Sequence, residues 1–384
     1  MQSKKKIVIF IDWFYPGYKA GGPVRSCLNM IEALKDDYDF WVITRDTDYC
    51  TDTPYEQVES DTWNQLEEHL HVYYFSKKRL SSKGLQKVVK DIDFDIAYIN
   101  GIYSFYFSVL PVWLLRRSPQ RKIVSVRGML ADTAVEVKSL KKKLFLKLVR
   151  LINLYKNIIF HTTNTHEAKQ VGKYLSDTNE VFVADNLPNL SRQLKLEKRK
   201  KEVGKLKLVS LARISEEKNI AFALEILKEI EGVEVQFDLY GQVYDERYWD
   251  KCQKIIAELP GNVAVHYKGS LPAEYVHDSF LTYHLLLMPS RGENFGHAII
   301  EALQSSMPVL ISDRTPWNNI EEKKCGKVIS LKNPGAFSKA VIEYANMNQK
   351  SYDEHSQAAF EFAKDFLEND SRIKDYYRLF EHDK

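Results

Sequence analysis

The stretch LLLMPSRGENFGHAIIEAL, residues 285–303, combines the local signals that decide the fold. Leu285 to Pro289 is a short apolar run, which is typical of a strand buried on both faces of a parallel sheet. The Asn-Phe-Gly sequence that follows suits a tight turn, and residues 297–304 have the spacing of a helix. A strand, a turn and a helix start together point backbone N–H groups at one place, so the stretch predicts an anion-binding site.

Two carboxylates lie within this stretch, at Glu293 and Glu301. Their spacing is a little over two helical turns, so in a continuous helix the two side chains would share a face about 12 Å apart. One carboxylate could then sit near the anion while the other reaches a different part of the same extended ligand. A diphosphate ester with a sugar at each end has this shape.

Strand-like and helix-like segments alternate along the whole chain. This alternation predicts an α/β fold of two Rossmann-like, doubly wound parallel sheets, with ligands bound at the carboxyl ends of the strands. The predicted helices include 23–34, 219–231 and 336–346. The predicted strands are 7–11, 40–44, 71–75, 96–100, 123–126, 158–161 and 180–184, then 207–211, 235–240, 263–267, 285–288, 309–312 and 327–330.

Length and charge predict two domains joined by a linker. A chain of 384 residues is too long for one typical core. Residues 191–204 are highly charged and poor in large apolar side chains, so they are the best boundary candidate. We predict a first domain over 1–190, a linker over 191–204 and a second domain over 205–355. One or two further helices are predicted between 356 and 384.

Composition narrows the class of protein. An apolar content of 44% and a charged content of 28% are typical of globular proteins, and no apolar run approaches the length of a spanning helix. The apolar run 7–11 ends at Asp12 without a cleavage site, so it is predicted to be a first strand rather than a signal peptide. Four cysteines without close pairing or metal-ligand spacing suit a reducing cytoplasm.

The segment 290–303 resembles the E-x7-E signature of the retaining nucleotide-sugar glycosyltransferases of family 4, among the group 1 glycosyltransferases. Further matching motifs lie along the whole chain. They are Phe14-Tyr15-Pro16 with Gly21-Gly22-Pro23 after the first strand, Leu187-Pro188-Asn189 before the linker, Leu211-Ala212-Arg213 with Lys218, and Thr315-Pro316-Trp317. Together these motifs make the resemblance specific.

The resemblance implies the GT-B fold, in which two Rossmann-like domains face a central cleft. It implies an N-terminal domain on the acceptor side, a C-terminal domain that binds the nucleotide sugar, and helices over 356–384 that return to the N-terminal domain. The implied activity is that of a metal-independent hexosyltransferase. Its donor is a nucleotide-diphosphate sugar such as a UDP- or GDP-sugar, no further cofactor is needed, and the acceptor is a glycan or lipid-linked molecule in surface polysaccharide biosynthesis.

Four side chains are predicted to act on the reacting groups. Arg213 and Lys218 follow the predicted strand 207–211, and a guanidinium fork with an ammonium group would stabilise the charge of a departing diphosphate. The resemblance implies that Glu293 contacts the transferred sugar. For Glu301 it implies donor binding through hydrogen bonds to the ribose of the nucleotide.

The remaining donor-binding predictions concern backbone and small side chains. The resemblance implies backbone contacts to the sugar or diphosphate from Asn294, Phe295 and Gly296. Ser290 could add a hydroxyl to the diphosphate or serve as a cap. Gly21 and Gly22 allow the backbone to approach the diphosphate or the acceptor, with a plain turn as the alternative.

Arg127 marks a departure from the family pattern. Many family members carry a histidine at this strand end, whereas this chain has Arg127-Gly128. An arginine cannot act as a general base near neutral pH. The predictions are charge stabilisation of the leaving group or the acceptor, or a structural ion pair.

A basic segment predicts contact with a membrane. Residues 137–166 contain no Asp or Glu, and Leu140, Leu144 and Leu148 fall at helical spacing among lysines. Such a helix can lie on anionic lipid headgroups, and the alternative is a core-packed helix with a solvated basic face. We therefore predict a cytoplasmic protein in peripheral contact with the inner face of the cell membrane through 138–157. Nucleic-acid binding is not expected, because no stacking aromatic residues interleave with these charges.

A second function remains open at this level. The chain could be a catalytically weak subunit of GT-B shape that binds a nucleotide sugar or a partner protein, and Arg127 in place of a histidine supports this reading. The presence of Arg213, Lys218, Glu293 and Glu301 together favours the enzyme. The sequence carries no side-chain signature for the base, the sugar or the acceptor.

Overall fold

The computed structural model describes residues 4–131, 139–175, 179–190, 193–369 and 371–381. The chain divides into two compact units. Unit 1 comprises residues 1–191 and 370–384, and unit 2 comprises residues 192–369. Each unit has its own sheet and its own buried apolar clusters on both sides of that sheet.

Unit 1 is built on a sheet of eight described strands in the order β3-β4-β2-β1-β5-β6-β7-β8. All neighbours pair in parallel except β3 and β4, which are antiparallel. The central residues 7–10 are fully buried, as expected for a strand covered by helices on both faces. The strands are β1 Lys5–Phe10, β2 Tyr38–Arg45, β3 Trp63–Glu67, β4 Leu70–Phe75, β5 Ile96–Asn100, β6 Arg121–Ser125, β7 Ile159–Thr162 and β8 Val181–Val183.

Unit 2 is built on a parallel sheet of six described strands in the order β11-β10-β9-β12-β13-β14. The strand order reverses direction between β9 and β12, which is the switch point of a doubly wound sheet. The strands are β9 Lys205–Leu211, β10 Glu234–Tyr240, β11 Val263–Tyr267, β12 Leu285–Met288, β13 Val309–Ser312 and β14 Gly326–Ile329.

Helices connect the strands and cover both sheets. Several begin where the sequence supplies a cap or a proline in the first turn, as with Pro23 in α1 and Asn333 before α10. A short π-helix, Phe105–Val109, precedes α3. The α-helices of the described residues are α1 Gly22–Leu34, α2 Ser82–Lys90, α3 Leu110–Leu115, α4 Ser139–Leu151, α5 Thr165–Tyr174, α6 Ile220–Lys228, α7 Glu246–Ala257, α8 Val276–Phe280, α9 His297–Gln304, α10 Pro334–Asn346, α11 Gln349–Leu367 and α12 Ser371–Glu381.

The prediction of two doubly wound α/β domains is confirmed, and every predicted strand is present. The structure adds β3, which sequence reasoning missed. Its residues Trp-Asn-Gln-Leu-Glu are mostly polar and partly exposed, because β3 is an antiparallel edge strand with one neighbour. The periodicity that reveals a buried strand is therefore absent there.

Residues 191–204 are predicted to be a linker between domains, but their described part is packed against unit 2. Arg199 is buried, and its guanidinium donates to the carbonyl oxygens of Phe280, Ser305 and Ser306 in unit 2. Lys201 is also buried and donates to the carbonyl oxygen of Ala345 at 2.7 Å. These long side chains bury their charge against carbonyl groups at or just after helix ends, so the described part of 191–204 packs onto unit 2.

The predicted boundary at 355/356 also differs from the structure. Helix α11 runs through that position and belongs to unit 2. Its residues Ala359 and Ala363 are fully buried in a unit 2 core. Only α12 packs with unit 1, where Tyr376 and Phe380 are buried near Tyr98. The sequence shows two amphipathic helices but not which sheet each one covers.

No helix within the described residues combines the length and the apolar composition that crossing a bilayer requires.

Replacing Arg199 by methionine is expected to destabilise unit 2 by about 3 kcal/mol, because three buried carbonyl groups lose a charged donor. Denaturant unfolding followed by a unit 2 tryptophan such as Trp317 measures this change. Lys200→Met is the matched control, since the neighbouring Lys200 side chain is 86% exposed. Equal stability of both variants would contradict a structural role for Arg199.

Candidate active site

The loops after β9 and β12 form the switch point of the unit 2 sheet. In doubly wound sheets ligands bind where the strand order reverses, outside the carboxyl ends of the strands. Arg213 and Lys218 lie in the first loop, and Ser290 to Gly296 form the second. The fold thus places both predicted cations and the Asn-Phe-Gly corner on neighbouring loops.

Backbone and amide contacts hold these two loops together. The Arg291 backbone N–H donates to the Glu217 carbonyl at 2.8 Å. The Asn219 amide donates to the Pro289 carbonyl at 3.1 Å, and Arg291 Nε donates to Asn219 Oδ1 at 3.3 Å. Asn219 has a left-handed backbone with φ of 60°, which asparagine tolerates better than most residues. The loops therefore form one braced surface.

A close backbone approach lies beside this surface. Gly241 follows β10 with φ of 147°, and a Cβ at this position would lie 1.9 Å from the Ala212 carbonyl oxygen. Only glycine fits such a contact without moving the backbone. The chain after β9 is thereby packed directly against the chain after β10.

An ion pair is the centre of the candidate site. Lys218 Nζ donates to Glu293 Oε1 at 2.7 Å, and the Ser290 hydroxyl donates to the same oxygen at 2.8 Å. The two charged side chains are only 14% and 8% exposed. A buried carboxylate needs a partner charge and hydrogen bonds, and here it has both. The structure therefore brings Lys218, Ser290 and Glu293 together as one cluster.

Arg213 lies on the same loop as Lys218 but has other contacts. Its guanidinium lies 5.4 Å from the centre of the Tyr244 ring and 3.5 Å from the Glu217 carboxylate. Among the described residues, no hydrogen bond joins Arg213 to the Lys218–Glu293 cluster. Its side chain is 36% exposed, so the guanidinium remains accessible to a ligand.

The Asn-Phe-Gly corner is fixed by packing. Phe295 is buried with its ring 5.4 Å from that of Trp317, and the Trp317 indole N–H donates to the Phe295 carbonyl. Gly296 caps α9 with φ of 80°, where a Cβ would lie 2.9 Å from the Ile299 side chain. The Phe295 side chain is therefore structural, and only its backbone remains for a ligand.

The turn and the helix over 297–304 are confirmed, and the helix does not extend back to Glu293. Helix α9 begins at His297, and Glu293 lies in the turn that precedes it. The Glu293 backbone N–H donates to the Arg314 carbonyl at 3.1 Å rather than within a helix. The helical spacing of about 12 Å therefore does not apply to Glu293 and Glu301, and Glu301 lies half-buried in the second turn of α9.

In unit 1, Arg127 is held by neutral side chains. Its Nε donates to Asn100 Oδ1 at 2.8 Å, one Nη donates to the Tyr98 hydroxyl at 2.9 Å, and the other donates to Asn186 Oδ1. Its backbone is left-handed, with φ of 48°. These contacts fix the position of the Arg127 guanidinium. Its predicted role in catalysis stays a prediction.

His161 and Glu167 complete this buried network. The Glu167 carboxylate accepts from the backbone N–H groups of Gly128 and Thr163, which fixes the turn after β6. His161 Nδ1 lies 2.7 Å from the Tyr98 hydroxyl, and Nε2 lies 2.9 Å from the Ala184 carbonyl oxygen. Burial, with the charge of Arg127 as a second cause, lowers the pKa of His161 to about 3.

The loop of unit 1 that leads into Gly21 and Gly22 is held by hydrogen bonds to Asp48. The Asp48 carboxylate accepts from the backbone N–H groups of Tyr18 and Lys19 at 3.0 and 3.2 Å. Gly21 follows with φ of 73° and caps α1. A Cβ built at Gly21 or Gly22 would meet no protein atom within 4 Å. The protein itself therefore does not require glycine at position 22.

Sequence reasoning missed Asp12, which lies at the switch point of the unit 1 sheet between β1 and β5. Its Oδ1 accepts from the Ser104 hydroxyl at 2.8 Å and from Arg45 at 3.2 Å. Burial raises the pKa of Asp12, against the opposing effects of Ser104 and Arg45. The signal that could have revealed it was a carboxylate directly after the first apolar strand.

No group of three or more His, Cys, Asp or Glu side chains within the described ranges is arranged to hold a metal ion. The Asp91-x-Asp93-x-Asp95 pattern precedes β5, and Asp95 accepts from the Lys6 backbone N–H at 2.8 Å. The third aspartate of that pattern is thus used in the fold.

The fold, with two doubly wound units built on mainly parallel sheets, is of the GT-B class. Residues 191–362 match the model of the family described as "Glycosyl transferases group 1". The predicted resemblance to the group 1 glycosyltransferases is confirmed at this level.

Two relatives and one solved structure illustrate the similarity. The GtfA subunit of UDP-N-acetylglucosamine–peptide N-acetylglucosaminyltransferase from Streptococcus agalactiae is 28% identical over 179 residues, which is 44% of this chain and 34% of that protein. An uncharacterized 41.2 kDa protein in the cps region of Klebsiella pneumoniae is 20% identical over 307 residues, covering 77% of this chain and 80% of that protein. The match to GtfA thus spans about a third of its length.

Anabaena HepE, solved in complex with UDP and glucose, has a TM-score of 0.70 to this chain. The alignment covers 98% of this chain and 99% of HepE at 14% sequence identity. An identity this low shows a shared fold and nothing further.

The stability of unit 1 is expected to fall by about 2 kcal/mol between pH 7 and pH 5 through His161 alone. The unfolded chain keeps the ordinary pKa of 6.5 whereas the folded pKa is about 3, so protons bind the unfolded state first. The contribution is complete above pH 6.5 and is lost progressively down to about pH 3. Denaturant unfolding of His161→Gln across this range should show a smaller slope with pH.

His166→Gln is the matched control, because His166 is an exposed histidine of the same unit. Equal slopes for wild type and His161→Gln would contradict a neutral, buried His161.

Proposed function

We propose that the protein is a retaining glycosyltransferase that moves a hexose-type sugar from a nucleotide-diphosphate sugar to a glycan or lipid-linked acceptor. The observation that carries this proposal is the Lys218–Glu293 pair at the switch point of a group 1 glycosyl transferase domain. A role in surface polysaccharide biosynthesis, with a UDP-sugar as donor, is supported by relatives whose names contain UDP-N-acetylglucosamine and the cps region.

The proposed chemistry depends on stabilising the leaving group. As the bond between the sugar and the diphosphate breaks, negative charge grows on the diphosphate oxygens. Lys218 and Arg213 would stabilise that charge from the loop after β9, since fixed cations need no reorganisation during the reaction. The departing phosphate takes the proton of the acceptor hydroxyl, so the reaction needs no separate base and Arg127 need not supply one.

Donor binding is proposed for the loop after β12 and for α9. The backbone of Asn294, Phe295 and Gly296 lies at the start of α9, where the first turn of a helix offers N–H groups to an anion. Glu293 is proposed to contact the transferred sugar and Glu301 the ribose. Ser290 acts through Glu293, since its hydroxyl already donates to that carboxylate.

The proposed reaction uses neither a metal ion nor a cofactor besides the donor. Two cationic side chains on the loop after β9 offer the charge that a divalent ion would otherwise bring to the diphosphate. We also propose a cytoplasmic location with peripheral contact to the inner face of the cell membrane through 138–157, of which residue 138 lies outside the described residues.

A subunit that binds a nucleotide sugar without turnover is the second candidate. The observation that favours it is Arg127, whose guanidinium is held by Asn100, Tyr98 and Asn186 where many family members have a histidine. This candidate predicts nucleotide binding in unit 2 without sugar release.

Arg213→Met is expected to lower kcat/KM for sugar transfer by about 100-fold, because the diphosphate loses a fixed charge in the transition state. Arg213 is partly exposed, so the protein should keep its stability. Thermal shift with a panel of nucleotide diphosphates identifies the donor first, since a ligand at 100 times its Kd adds about 2.7 kcal/mol. Transfer is then measured with the corresponding nucleotide sugar.

Arg247→Met is the matched control, since Arg247 is an exposed arginine of the same unit on α7. Unchanged transfer by Arg213→Met would show that the site is assigned wrongly. A clear thermal shift in wild type without sugar release, whatever acceptor is supplied, would favour the binding subunit.

Gly22→Ala is expected to lower sugar transfer by about tenfold or more without changing the melting temperature. A Cβ at position 22 meets no protein atom within 4 Å, so a loss of activity would report a ligand that approaches the backbone there. Gly335→Ala is the matched control, because Gly335 also lies in the first turn of a helix and in open space. Full activity of Gly22→Ala would leave Gly22 as a plain turn residue.

A further inference from the structure

Helix α4 has apolar side chains on two sides. On the inner side Leu146 and Val149 are buried in the unit 1 core, and the Phe145 ring lies 5.4 Å from that of Tyr103. On the outer side five large apolar residues are exposed, each by between 52% and 84% of its surface. These residues are Leu140, Leu144, Leu148, Leu151 and, just after the helix, Ile152.

The exposed leucines form one continuous stripe. At about 100° per residue, Leu140, Leu144, Leu148 and Leu151 fall within about 80° of the helix circumference. A single exposed leucine needs no explanation, but a contiguous apolar surface does. The helix cannot turn to hide the stripe, because Leu146 and Val149 fix its opposite side in the core.

Cationic side chains border the stripe. Lys143, Lys147 and Arg150 are exposed on one side of it, and Lys141 is exposed on the other. Helix α4 contains no acidic residue, and none occurs anywhere between 137 and 166. The outer face of α4 is thus apolar along its middle and positively charged along its edges.

We propose that this outer face of α4 docks onto an anionic lipid bilayer, with the helix lying parallel to the membrane surface. The leucine side chains would enter the boundary between headgroups and acyl chains, and the lysine and arginine side chains would contact lipid phosphates. The helix has 13 residues, so it is too short to span the bilayer but long enough to lie on it.

The charges distinguish the bilayer from a second copy of the chain. Two outer faces of α4 brought together would oppose lysines to lysines, and like charges in a desolvated contact repel strongly. An anionic membrane instead offers the opposite charge over the whole length of the helix. Charge complementarity therefore selects the lipid surface.

Docking would place the protein on the bilayer that holds a lipid-linked acceptor. The inference rests on the proposed function in that respect alone. Binding to vesicles is measured without donor or acceptor. A failure of docking would leave sugar transfer intact, and a failure of transfer would leave docking intact, so the two are distinguishable.

The test is co-sedimentation of the full-length protein with vesicles. Wild type is expected to pellet with vesicles that contain phosphatidylglycerol and much less with phosphatidylcholine alone. Leu144→Glu combined with Leu148→Glu should weaken binding at least about tenfold, because two apolar side chains no longer enter the bilayer. Lys143→Gln combined with Lys147→Gln should weaken binding and reduce its dependence on salt.

Val203→Glu is the matched control, since Val203 is an apolar residue of unit 2 that is 62% exposed. Circular dichroism and melting temperature show whether each variant is folded, which exposed positions should permit. Equal vesicle binding by wild type and the leucine variant would overturn the proposal. So would self-association that the leucine variant abolishes in the absence of any vesicle binding by wild type.

Discussion

The candidate site depends on the ion pair between Lys218 and Glu293. The pair joins the loops that follow β9 and β12, which lie close together because these parallel strands are neighbours at the switch point of the sheet. Neither charge could be buried without the other, and Ser290 provides the additional hydrogen bond that a buried carboxylate needs. The same ion pair therefore sets the geometry of the site and stabilises the two loops that form it.

Much of the fold could be predicted because the central strands of a parallel sheet are continuous apolar runs in the sequence. The run Leu285–Met288 is apolar throughout, since both faces of β12 are covered, and the same holds for the other central strands. Edge strand β3 lacked that signal. The placement of α11 and α12 could not be read either, because amphipathic spacing shows that a helix is half-buried but not which sheet it covers.

The site was predictable to a similar extent. The E-x7-E spacing, Arg213 and Lys218 indicated an anion site, and the structure unites Lys218 with Glu293 and Ser290. The sequence could not show that Glu293 lies outside the helix, because the helix boundary depends on Gly296 adopting a left-handed backbone. It also could not show that Arg127 is held by Tyr98, Asn100 and Asn186, which are distant in sequence and meet only in the folded sheet.

The hydrogen bond from Trp317 to the Phe295 carbonyl has a consequence for the corner before α9. In a trans peptide the carbonyl and the following N–H point in opposite directions. An indole that fixes the Phe295 oxygen therefore also aims the N–H of Gly296 away from the tryptophan, before any anion arrives. The conformational freedom of this peptide plane is lost during folding, so its entropy cost would not weaken the binding of the proposed donor's diphosphate.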